Sequence, residues 1–353
     1  MVQLPRELRR PVFALRAFNI ESAVMGDQVQ SKEAPVLMLR AQWWRDAIDS
    51  VFSGQQVPAH PVVTALAAVV RAQAEAAPGT RSSSSTTATT PLSAAVAAAK
   101  EAAAARGGQG DQPAPHGAHG ARHAEPEDAH THTDSCGHAH AAAPPVSPFG
   151  SGDAAAAPPA PLLRKYHLKR MIDTREADML DGQPPLDMTG LEKYAEGTAS
   201  QLMYLQLAAA GIASRDADHA ASHLGKAVGL ATLLKGTPFH AARRRSYLPL
   251  DLCSEHGVSQ EDIYAGTVTE GLRDVALAIA SASKANLEEA RALCSRVPAA
   301  ARPLFLPSLA VDAYLKALEK ANFDPFDPSL SKGGVSPLWH VLQVKWHLMA
   351  ETY

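Results

Sequence analysis

Aromatic residues and cysteines are scarce in this chain. Aromatic side chains make up 5% of its 353 residues, and there are 3 cysteines. Cys136, Cys253 and Cys294 are odd in number and far apart, which excludes a disulfide framework or a CxxC pair and fits a reducing compartment best. A dominant charge is missing too: Lys+Arg 33 against Asp+Glu 36 leaves a net −3. A general nucleic-acid binder needs surplus cations to displace counterions, so no nucleic-acid partner is expected. Nowhere does an apolar run approach the roughly 18 residues that cross a bilayer. The chain also lacks a GxxxxGK[ST] loop, a GxGxxG turn, a GxSxG elbow and an HExxH helix, which removes the commonest nucleotide, hydrolase and zinc-protease signatures. Strand-like alternation is nowhere sustained.

What the chain does contain is a 46% hydrophobic fraction, unevenly spread. Residues 78–161 hold only four large apolar side chains (Leu92, Val96, Val146 and Phe149) and eleven prolines. Such a stretch cannot bury enough apolar surface to offset the entropy of ordering it, so it reads as a disordered Ala/His/Pro/Ser-rich insertion, with transient helix at Pro91–Arg106. The flanks, residues 1–77 and 162–353, read as one discontinuous all-α domain. Phe13, Ala17, Ile20 and Val24 form one helical stripe, and Phe18, Ser22, Met25 and Val29 form a second. Two stripes on one segment predict a helix buried around most of its circumference. Leu37, Ala41, Trp44, Ile48 and Val51 form the next stripe, with Trp43 at its rim. Further helices are expected at Leu162–Leu180, Leu191–Gly211, His219–Leu234, Gln260–Arg296 (one or two), Pro307–Ala321 and from Pro337. Ala221, Gly225, Gly229 and Ala231 would let a neighbouring helix approach closely, and Ser259 with Asp262 has capping-box spacing.

Candidate sites were weighed one by one. His132, Cys136, His138 and His140 have ligand chemistry, but in a low-complexity tract they read as adventitious binders, so no metal site is assigned there. His219 and His223 share a helix face at i, i+4, a spacing that suits a metal; without a third ligand, packing histidines are the commoner reading. Arg243-Arg244-Arg245 reads as solvated surface, or as a contact for phosphate or anionic lipid. Asp173, Glu176, Asp178 and Asp181 read as a solvated face, with a cation conceivable at Asp178 and Asp181.

Several strings, in order, resemble the squalene and phytoene synthase family. They are Leu4–Phe18; Leu39-Arg-Ala-Gln-Trp-Trp-Arg45 with His60-Pro61-Val62 and Ala65-Leu66; Tyr194-Ala-Glu-Gly-Thr198; Gly225–Leu234; and Arg245-Ser-Tyr-Leu-Pro-Leu-Asp251 with Gly257–Asp262. The resemblance implies an all-α isoprenoid-synthase-like bundle in which two DxxxD motifs hold Mg²⁺ against a diphosphate. Here the matching positions are Asn19 and Ala23 in the first motif, Gly236 and His240 in the second. Glu21 and Asp27, the acids near the first motif, lie roughly 240° apart around a helix and cannot clamp one ion. Between Asp218 and Asp251 there is no carboxylate at all.

Loss of both motifs, together with Arg16–Glu21, Asp218–Ala227, Thr237–Arg244 and Asp324–Leu330, resembles a branch of the family that serves as mitochondrial complex I assembly factors. That resemblance implies a non-catalytic role without cofactor or metal, in the mitochondrial matrix and peripheral to the inner membrane. Complex I subunits or other assembly factors would be the partners. It further implies an upstream helix and targeting presequence, because Met1-Val-Gln-Leu-Pro begins inside the expected fold. A central cavity between Phe13–Val29 and His219–Leu234 is expected to accept a lipid or prenyl ligand, with Lys226, Arg243, Arg244, Arg245 and Tyr247 as cavity or anionic-ligand contacts. Two other readings stand beside this one: an active prenyl transferase using Glu21, Asp173, Glu176 and Asp178, and a metal binder using the insertion.

Overall fold

Four of the helices start where the sequence supplies a side-chain oxygen to cap them. Ser214 accepts from the Ala217 amide, Asp187 from Gly190 and Thr269 from Leu272. Ser259 and Asp262 complete the expected capping box. Gly54, Gly182 and Gly266 end helices with φ near +70°, a backbone region that favours glycine. The computed structural model describes residues 4–76, 163–331, 343–347, 349–350 and 352–353. No strand occurs among them. The proposed insertion and its four metal-ligand candidates lie outside the described residues, as does the expected helix start at Pro337; residues 343–347 are helical.

In chain order the helices are α1 (Arg6–Ala23), α2 (Ala34–Ser53), α3 (Pro61–Ala76), α4 (Lys165–Asp181), α5 (Met188–Ala195), α6 (Gln201–Ala209), α7 (Arg215–Lys235), α8 (Thr237–Ala241), α9 (Leu250–Glu255), α10 (Gln260–Ala265), α11 (Glu270–Ala292), α12 (Pro307–Lys320) and α13 (Pro328–Ser331). A π-helical turn, Glu196–Ser200, joins α5 to α6, and a 3₁₀ turn, Arg302–Phe305, precedes α12. Gly266, with a φ of 69°, splits the long Gln260–Arg296 segment into α10 and α11.

Two apolar cores organise these helices. One gathers Phe18, Trp44, Ile48, Leu66, Met171 and Ile172 from α1–α4. The other gathers Leu224, Leu230, Leu272, Ile279, Leu287 and Leu318 around α7, α11 and α12. Phe18 meets Trp44 edge to face at 5.6 Å, and Trp43 lies at the rim as expected.

Burial around most of α1 does not hold. Its buried side is Val12, Ala14, Leu15, Phe18 and Ser22, whereas Phe13 is 67% exposed and Ile20 62%. The helix also stops at Ala23, so Met25 is buried from a following turn, and Val24 is exposed. Apolar spacing marks a side that prefers burial; it does not supply a second neighbour to bury it.

The small residues of α7 do bring a helix close. A Cβ on Gly225 would fall on the backbone of Ser200 in the π turn, and one on Gly229 would come within 2.5 Å of the Ala195 Cβ. Ser200 Oγ donates to the Ser222 carbonyl at 3.0 Å across this contact. Since the obstacle at Gly225 is backbone, it cannot yield as a flexible side chain would. Gly225→Ala should therefore destabilise the fold by about 2 kcal/mol despite alanine's better helix propensity. Urea unfolding measures this; an unchanged or higher midpoint would contradict the close contact.

Candidate functional site

In α4 the residues Leu168, Met171, Ile172 and Arg175 recur at helical spacing, and all four are buried. The last is a guanidinium where the pattern calls for a hydrocarbon, and it is only 6% exposed. One of its nitrogens donates to Asn19 Oδ1 at 2.7 Å and another to Ser22 Oγ. Ser22 in turn donates to the Phe18 carbonyl at 2.6 Å. Burial lowers the Arg175 pKa from its ordinary value, and the nearby phenol of Tyr194 opposes that shift.

Nearly one turn further along α4, Asp178 receives Arg245 at 2.7 Å and the hydroxyl of Tyr247 at 2.8 Å. Arg245 also donates to the Asp178 carbonyl at 2.7 Å. Burial pushes the Asp178 carboxyl upward, against the pull of Arg245 and Tyr247. Tyr194 and Tyr247 lie 5.6 Å apart, ring centre to ring centre. Arg175, which is buried, and Asp178, Tyr194, Arg245 and Tyr247, which are half-buried, thus form one polar network, joined to α1 through Asn19 and Ser22.

The acidic run on α4 is a solvated face only in part: Asp173 and Asp181 are exposed, whereas Glu176 and Asp178 are mostly covered. Arg45 of α2 takes Asp173 at 2.8 Å and pairs with Glu176 as well. Asp178 turns inward, and Asp181 lines a cleft of about 710 Å³ together with Asp173, Asp178, Leu186, Leu191, Tyr194, Tyr247 and Leu250. Asp173 and Glu176, three residues apart, therefore share Arg45 while Asp178 is turned to Arg245, because successive residues are rotated by about 100°.

The basic run separates in the same way. Arg244 has a φ of 52°, and this left-handed residue redirects the chain after α8. Arg243 lies over the Phe239 ring at 3.6 Å, Arg244 pairs with Glu261 at 2.8 Å, and Arg245 reaches Asp178. Solvated surface thus describes Arg244 but not Arg245, whose side chain is 26% exposed in its ion pair. Lys226 lies ten residues before Gly236, about 15 Å along α7, and is 4.0 Å from Glu192.

Of the four positions that the resemblance leads one to expect in place of the family's carboxylates, Asn19 accepts from Arg175 and Ala23 is exposed. Gly236 leaves room for His240, whose Nε2 would sit 2.9 Å from a Cβ there. His240 packs edge-on against Tyr247 at 4.7 Å. Burial, and then the charges of Arg245 and Arg243, push its imidazole down to about 4, so it is neutral near pH 7. Mg²⁺ requires oxygen ligands in octahedral array, and an amide held by a buried cation, a methyl, a glycine and an imidazole do not fit it.

Sequence reasoning missed Arg175. The available signal was a lone arginine continuing the Leu168-Met171-Ile172 stripe.

The helical layout points to a class. The squalene/phytoene synthase family model matches residues 1–81 and 88–346, and the chain belongs to that family. Within it, the chain is 32% identical over 329 residues to a Bos taurus protein named NADH dehydrogenase (ubiquinone) complex I, assembly factor 6, covering 93% of this chain and 71% of the relative. A Rattus norvegicus protein of the same name is 46% identical over 170 residues, 48% of this chain and 51% of the relative. The chain thus spans about half the length of the rat relative in that match. A crystal structure of a dehydrosqualene synthase in complex with ligand shares the fold, with a TM-score of 0.62 at 16% identity, over 99% of this chain and 90% of that one.

His240 predicts a pH dependence. Its folded value of about 4 lies below the ordinary 6.5, so the unfolded chain binds the proton first. The stability it contributes is complete above pH 6.5 and is lost as pH falls toward 4, with a ceiling of about 3 kcal/mol. Urea unfolding at pH 7 and pH 4.5 should show a shallower decline for His240→Gln than for the unaltered protein. Equal declines would contradict the assignment.

Proposed function

We propose that this chain is a non-catalytic assembly factor for respiratory complex I, a pseudoenzyme on a squalene/phytoene synthase scaffold. The observation that carries this reading is the occupancy of the former metal positions. A cation, Arg175, is fastened to Asn19 inside the core, where a second cation such as Mg²⁺ would be repelled. The assembly-factor names of its relatives point the same way. The acids left for a prenyl transferase are already engaged: Asp173 and Glu176 by Arg45, Asp178 by Arg245 and Tyr247. The work is placed in the mitochondrial matrix, peripheral to the inner membrane, with complex I subunits or other assembly factors as partners. Among the described residues no helix is long and apolar enough to cross a membrane.

The discontinuous domain, 1–77 and 162–353, is taken to carry this activity. Deleting the gene should abolish complex I on native gels while isoprenoid products stay unchanged, and the chain lacking residues 78–161 should restore it. Unaltered complex I after deletion, or Mg²⁺-dependent diphosphate release from farnesyl diphosphate by the purified protein, would refute the proposal.

A second element of the reading is that the scaffold keeps a place for an apolar lipid or prenyl ligand. The cleft walls supply Leu186, Leu191, Tyr194, Tyr247 and Leu250. This cleft lies beside α4 and α5 rather than between Phe13–Val29 and His219–Leu234, and of the expected anionic-group contacts Tyr247 lines it whereas Lys226, Arg243, Arg244 and Arg245 do not. Native mass spectrometry of protein purified with lipids should detect a bound apolar species, and its absence would remove the cavity from the proposal.

A further inference from the structure

We propose that His219 and His223 on α7 form a chelating site for a divalent transition-metal ion of the zinc or nickel kind. The Nε2 atoms of the two rings stand 3.2 Å apart. A tetrahedral ion with metal–nitrogen bonds of roughly 2.0–2.1 Å spans about 3.3–3.4 Å between two ligands, so the pair already has the required bite. The helix provides it through the i, i+4 spacing, and the rings lie 5.0 Å apart, centre to centre.

A supporting shell fixes which nitrogen is offered. Asn286 on α11 donates through Nδ2 to Glu192 Oε1 at 3.3 Å and to the Ala282 carbonyl at 3.0 Å, which leaves its Oδ1 as an acceptor. That oxygen faces His223 Nδ1 at 3.1 Å, so Nδ1 carries the proton and donates. The Nε2 lone pair of His223 is thereby directed at His219. Histidines that bind metals are oriented in this way, with the outer nitrogen donating to a fixed acceptor. A histidine placed only for packing would need no such chain of Glu192, Asn286 and His223.

In the metal-free protein, His219 Nε2–H donates to His223. On binding, that proton moves to His219 Nδ1, both Nε2 lone pairs turn to the ion, and no net proton is released. His219 is exposed and His223 half-buried, so the ion can enter from solvent. Among the described residues no group of three or more His, Cys, Asp or Glu could hold a metal. The chain therefore contributes two nitrogens and leaves the remaining coordination positions to water or to a ligand from outside. Imidazole pairs suit Zn²⁺, Ni²⁺ and Cu²⁺, whereas Mg²⁺ prefers oxygen.

Seven further histidines lie between His116 and His140, so total metal uptake by the protein is uninformative. The test is the unfolding midpoint of the full-length, tag-free protein with Zn²⁺, Ni²⁺ or Mg²⁺, because an ion bound to the folded site raises that midpoint. Zn²⁺ and Ni²⁺ should raise it and Mg²⁺ should not. His219→Ala, at an exposed position, and His223→Ala should each abolish the rise, with affinity at this site falling at least tenfold. Asn286→Ala, which keeps both imidazoles, should weaken binding by about 10–100-fold. A rise that survives both histidine variants, or no rise with either ion, would overturn the site.

Discussion

Arg175 inside the helical bundle and Arg245, half-buried, need partners for their guanidinium groups, and much of the structure is arranged around that requirement. The Nε of each has no hydrogen-bond partner among the described residues. Burying a charge is tolerated only with hydrogen-bonding partners. Arg175 finds Asn19 and Ser22 on α1, and Arg245 finds Asp178 on the same helix that carries Arg175. Helix α4 thus binds α1 on one side and the turn after α8 on the other, joining elements far apart in the chain. Tyr194 and Tyr247 fill the space beside these charges with rings whose hydroxyls keep their protons, because burial raises both phenols well above their ordinary value.

Arg175 places positive charge in the core, and a guanidinium, unlike a metal ion, belongs to the chain and cannot be exchanged. The close seat of α7 on the π turn serves the scaffold: Gly225 and Gly229 admit the Ala195–Ser200 backbone without a layer of side chains between.

Periodicity and caps were readable because they are local. The α2 stripe, the Ser259 capping box and the small residues of α7 all appear where their spacing places them. The absence of any carboxylate between Asp218 and Asp251 was equally plain, since a missing residue type needs no structure to be recognised. Burial on both sides of α1 was not readable: Phe13 and Ile20 satisfy the spacing rule yet none of the described residues covers them. The acidic run of α4 and the Arg243–Arg245 run look like uniform patches when written in a line. Rotation along a helix, and the positive φ of Arg244, send adjacent charges to different partners.

By itself the sequence determined the all-α class and local signals such as the Ser259 capping box, because each depends on residues within a few positions of one another. Only the tertiary structure decided that Arg175 lies inside the core, that Asp178 faces Arg245 and Tyr247, and that Asn286 aims His223 at His219. These outcomes depend on which helix faces which. The partners are separated by 156 positions for Arg175 and Asn19 and by 63 for His223 and Asn286. No local spacing rule reaches that far, since a side chain's partner is set by packing rather than by its neighbours in the chain.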